Sequence, residues 1–118
     1  MPNYQSNETR RVNDRMRIEL LHIEDCPNTE KALEHVKAAL TTLGHGDVPV
    51  HTRLMKSAAD TAGTGFAGSP TITADGADTF PDGAPSSDLA CRIYPAAGGY
   101  AGAPTVDQVV KALTDRGL

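Results

Sequence analysis

Residues Ile18-Glu19-Leu20-Leu21-His22-Ile23 run straight into Glu24-Asp25-Cys26-Pro27-Asn28-Thr29, and this join decides the fold. In the first six, both alternating sets carry large apolar residues, the pattern of a short strand covered on both faces. Ala32, Leu33, Val36, Leu40 and Leu43 then recur at helical spacing, with Gly44 placed as a C-terminal stop. The grammar is strand, loop, helix. Proline tolerates the first helical turn, where its missing N–H costs nothing, so Pro27 predicts that Cys26 lies at or just before a helix N-terminus.

Downstream, Val48, Val50, Thr52 and Leu54 alternate as a second strand. Two strands joined by one helix imply a parallel pair with a right-handed crossover. The segment 57–64 supports a short, weak helix at best. Ser69-Pro70-Thr71-Ile72-Thr73-Ala74-Asp75-Gly76-Ala77-Asp78-Thr79-Phe80 reads as strand, Asp-Gly turn, strand. Residues 81–103 have no firm period and read as an insertion, long enough for a compact domain to give it a function. Pro104 fits the first turn of a closing helix whose apolar stripe is Val106, Val109, Val110 and Leu113, and Thr105 with Gln108 has capping-box spacing. Upstream, residues 1–16 form a polar extension without apolar period, so the domain is expected to span 17–118.

The chain has 118 residues, 39% of them hydrophobic, enough for one packed core without a disulfide framework or a structural metal. Two cysteines are too few for a secreted, crosslinked scaffold, and no run approaches the ~18 apolar residues that span a bilayer. A cytoplasmic protein without membrane contact is expected. The net charge is −4, and with four Arg concentrated in residues 1–17 the remainder is more acidic still, which argues against a nucleic-acid partner.

The element order, β-α-β, β-hairpin, α, with a Cys at the first helix start and Gly65-Phe66-Ala67-Gly68-Ser69-Pro70-Thr71-Ile72 leading into the third strand, resembles the thioredoxin superfamily, nearest its small glutaredoxin-like and thioredoxin-like members. The resemblance covers residues 17–118. It implies an α/β fold with a four-stranded mixed sheet and helices on its faces, thiol–disulfide oxidoreductase activity, no organic cofactor, Cys26 as nucleophile, and Pro70 as a cis-proline facing it. One position departs from the family pattern: Thr29 stands where the second Cys of C-x-x-C would be, so dithiol cycling within the motif is excluded. A thiolate at Cys26 is favoured by the helix dipole and free N–H groups, and Thr29 can add a hydroxyl donor. The charges of Glu24 and Asp25 work in the opposite sense.

The hairpin returns the chain toward Cys26, so the insertion should begin beside it, and Cys91 has the reach to approach. Cys91 is therefore expected to resolve a mixed disulfide formed by Cys26, with Arg92 beside it to stabilise its thiolate. The bland reading of Ala90-Cys91-Arg92-Ile93-Tyr94 is an extra strand with Cys91 as a small buried hydrophobe. Ser69, Pro70 and Thr71 are expected to align substrate through main-chain hydrogen bonds, the partner being a disulfide-containing protein or a low-molecular-weight thiol. Two rival functions remain. The two thiols can hold a soft metal such as Hg(II), Cu(I) or Zn(II), and relatives of similar Cys-containing tail carry mercury-resistance names. Alternatively the domain is a non-catalytic interaction module. Gly63-Thr64-Gly65-Phe66-Ala67-Gly68 matches G-x-G-x-x-G, but a strand rather than a helix follows it, so turn glycines explain it better than a dinucleotide site. The histidines at 22, 35, 45 and 51 show no metal-ligand spacing.

Overall fold

The computed structural model describes residues 16–80, 83–96 and 98–118, so all but the last residue of the expected 1–16 extension lies outside the described residues. Strand β1 spans Ile18–His22, helix α1 Thr29–Thr42, β2 Val50–Leu54, β3 Thr71–Ala74, β4 Ala77–Asp78, β5 Tyr94–Ala96, β6 Gly99–Ala101 and helix α2 Val106–Asp115. The main sheet is four-stranded and mixed, in the order β2-β1-β3-β4. β1 pairs in parallel with β2, through the α1 crossover, and antiparallel with β3.

The run Ile18 to Leu21 is buried at every residue, because each face of β1 meets a different cover. Ile18 and Leu20 stand opposite Ala74 and Ile72 of β3, and this face receives Ala32, Val36, Ala39 and Leu40 of α1 with Val109 and Leu113 of α2. Leu21 points the other way, into a smaller cluster with Met55 and Phe66. Both α-helices thus share one face of the sheet, where helices on both faces were expected. The weak segment at 57–64 is a 3-10 turn at Ala58–Thr61. His35 ties the two helices together, its Nδ1–H donating to the Pro104 carbonyl at 2.7 Å.

Asp75 (φ 53°) and Gly76 (φ 85°) make the left-handed two-residue turn between β3 and β4, as the Asp-Gly pair predicts. Two helix starts differ from expectation. α1 begins at Thr29 with Asn28 as its N-cap, so Pro27 occupies the preceding turn, closed by the Thr29 N–H on the Cys26 carbonyl, and not the helix itself. Pro104 likewise precedes the N-cap of α2, which is Thr105; its hydroxyl and the Gln108 side chain form the reciprocal capping box. Inside the insertion, β5 and β6 pair as a small antiparallel hairpin that the sequence reading did not assign. Gly98-Gly99 between two Tyr-containing runs was the signal for it.

Candidate functional site

The site is built around Ser69. It is fully buried, lies opposite Ile23 just beyond the β1–β3 ladder, and its Oγ accepts the Ile23 N–H at 3.1 Å. Its hydroxyl also stands beside the Cys26 sulfur, where it favours the thiolate. Cys26 is half-buried in the turn that leads into α1, following Asp25 in the left-handed region at φ 58°. Burial raises the thiol pKa, but the Ser69 hydroxyl, the Thr29 hydroxyl and the Asn28 and Thr29 N–H groups together outweigh it and hold Cys26 below its ordinary value. Thr29 Oγ1 is buried and makes no formed hydrogen bond with the neutral thiol, so its proton is free to turn to the sulfur once that is charged. The exposed Glu24 and Asp25 do not reverse this outcome.

On its other side Ser69 pairs with the insertion. Its N–H donates to the Ala90 carbonyl at 2.8 Å and its carbonyl accepts the Arg92 N–H at 2.9 Å, which makes a parallel bridge between Ser69 and Cys91. Bridged residues share a face of their ladder, so the Cys91 side chain leaves on the side of the Ser69 hydroxyl. One serine thus has its hydroxyl beside the first thiol and its main chain bridged to the second. Both cysteines are free thiols, and Cys91 is exposed rather than buried as the strand reading supposed, although its segment does pair like a strand. The insertion also returns to the α1 start, where the Asn28 side chain rests against Gly102.

Arg92 does something other than expected. Its side chain turns away from Cys91 and is buried, Nη1 donating to Asp78 Oδ2 at 2.9 Å and Nη2 to the Phe80 carbonyl. The guanidinium carbon lies 4.7 Å from the Tyr94 ring centroid and 5.9 Å from that of Phe80. Arg92 therefore anchors the segment that presents Cys91 and does not serve the Cys91 thiolate. Gly68 makes the approach feasible: at φ 110°, any Cβ there would sit 2.8 Å from the Arg92 Cβ.

The remaining residues of the expected substrate edge are also occupied from within. The Ser69–Pro70 peptide is cis, Pro70 is buried, and its carbonyl accepts the Tyr94 hydroxyl. Thr71 pairs with Leu21, and its Oγ1 donates to the Gly68 carbonyl while accepting the Ala67 N–H. Pro27 is exposed beside Cys26. Among the described residues no group of three or more His, Cys, Asp or Glu side chains converges, and no helix is long and apolar enough to cross a membrane. Comparison of the chain with protein-family models, with curated proteins and with solved structures gave no match.

Proposed function

We propose that this chain is a thiol–disulfide exchange protein of thioredoxin-like layout, with Cys26 as the attacking thiol and Cys91 as the resolving one. The observation that carries the reading is the shared serine: Ser69 is bridged to Cys91 through its own main chain, and its hydroxyl stands beside Cys26. The lowered pKa of Cys26 supports the same assignment, because the thiolate is the nucleophile. The order β2-β1-β3-β4 with a hairpin before the last helix supports the layout.

In the first step the Cys26 thiolate attacks one sulfur of a disulfide R–S–S–R. A Cys26–S–S–R bond forms, and R–S⁻ leaves to take a proton from water. The Cys91 thiolate then attacks the Cys26 sulfur, forming a Cys26–Cys91 disulfide and expelling the second R–S⁻. The substrate gains two electrons, the protein loses two, and a thiol reductant returns it to the dithiol state. The test is to add one equivalent of disulfide to reduced protein and map the products by mass. A Cys26–Cys91 crosslink is expected in the wild type, a persistent mixed disulfide on Cys26 in Cys91→Ser, and no adduct in Cys26→Ser. Reaction at Cys91 with Cys26 untouched would overturn the assignment.

A second reading rests on the same pair. Two thiols set about one serine suit a two-coordinate soft ion such as Hg(II) or Cu(I), whereas zinc's usual four ligands have no counterpart among the described side chains. Thiolate-to-metal absorption at one ion per chain, lost in either cysteine variant, is its signature.

A further inference from the structure

A thiol that attacks a disulfide within a polypeptide must also accommodate the flanking main chain, and an extended chain is held most simply by adding to an open strand edge. Beside Cys26 that edge is filled. The Ser69 N–H and carbonyl are bonded to Ala90 and Arg92, the Pro70 carbonyl to Tyr94, and the Ile72 carbonyl to Thr79. The outer side of β2 is a sheet edge, but it lies across β1 from Ser69, about two strand spacings of ~4.8 Å away.

The occupying segment is pinned rather than loosely laid. Arg92 is buried in its ion pair with Asp78, and Gly68 lets the two backbones approach more closely than any side-chain-bearing residue would allow. What remains open beside Cys91 is a polar recess of about 290 Å³ lined by Ala67, Gly83, Ala84, Arg92 and Ile93. A polar recess of this size beside the second thiol can take a small polar group. We infer that the thiol pair acts on low-molecular-weight disulfides and excludes disulfides embedded in extended polypeptide, with the 90–92 segment standing where a substrate backbone would lie.

This rests on Cys26 being the exchanging thiol, and the two ideas fail differently. Reduced full-length protein is mixed with cystine or with an unstructured disulfide-linked peptide dimer. Formation of the Cys26 adduct is followed by acid quench and mass spectrometry, and each rate is divided by that of the same disulfide with free N-acetylcysteine. The normalised rate for cystine should exceed that for the peptide by about tenfold or more. Arg92→Ala, which frees the segment, should narrow that ratio several-fold, and Tyr94→Phe, which removes only the hydroxyl on Pro70, should narrow it less. Equal normalised rates in the wild type would overturn the size restriction while leaving exchange at Cys26 intact. Rates no faster than N-acetylcysteine with both disulfides would overturn the exchange reading and this inference with it.

Discussion

The Ser69 side chain links two segments: its oxygen accepts the Ile23 N–H at 3.1 Å, and its hydroxyl stands beside the Cys26 sulfur, where it favours the thiolate. Ser69→Ala should therefore raise the Cys26 pKa. At neutral pH its alkylation by iodoacetamide should slow by about three- to tenfold, the loss in thiolate fraction for a shift of up to one unit. An unchanged pH profile of alkylation would show that the serine does not hold the thiolate.

Thr29 separates reactivity from stability. Its Oγ1 is buried without a formed hydrogen bond, so removing it relieves a desolvated hydroxyl even as it withdraws a donor from the thiolate. Thr29→Val should leave stability unchanged or raise it by up to about 1 kcal/mol in urea unfolding. The same variant should alkylate more slowly at Cys26. A substitution that lowered both would contradict the geometry.

The lowered Cys26 pKa also gives stability a pH dependence of definite sign. Between the folded pKa and the unfolded value near ~8.5, the unfolded chain binds more protons than the folded one, so stability rises with pH through that window. The contribution is complete above the unfolded pKa and is lost as pH falls through the folded one. Urea unfolding of wild type and Cys26→Ser from pH 6 to about 9.5 should show the wild type gaining relative to the variant as pH rises, and a constant difference would contradict it.

Breaking the anchor of the Cys91 segment should be costly. Arg92→Ala removes the buried guanidinium that pairs with Asp78 and bonds the Phe80 carbonyl, and should destabilise by about 3 kcal/mol. Gly68→Ala forces a Cβ into the Arg92 stem at a positive φ and should cost about 2 kcal/mol or more. Both variants should also slow formation of the Cys26–Cys91 crosslink relative to adduct formation on Cys26, as quenched mass spectra would show.

Much of the sheet was legible from residue pattern because local rules govern it. Strand β1, helix α1 and the Asp75-Gly76 turn each carry their signal in a few adjacent positions. Both helices begin slightly beyond Pro27 and Pro104, since proline marks the approach to a helix as well as its first turn; Asn28 holds the N-cap position of α1 without a side-chain cap, and Thr105 caps α2. Cys26 was legible by its place before a helix. Its surroundings were not: Ser69 is 43 positions away in the chain and reaches the Cys26 side of the sheet because β1 and β3 pair. The role of Arg92 was hidden for the same reason, because its neighbour in sequence is Cys91 but its partner in space is Asp78.

The pairing of Ser69 with Cys91 also bears on self-association. A strand edge left bare invites another chain to extend the sheet. Here β4 covers β3 at Thr73 and Ala74, Thr79 bonds the Ile72 carbonyl, and the insertion covers Ser69 beyond it. The outer side of β2 carries the exposed residues His51, Thr52 and Arg53, and a cation with polar neighbours is a poor template for stacking copies. The segment that carries the second thiol thereby also fills the Ser69 end of the β3 edge.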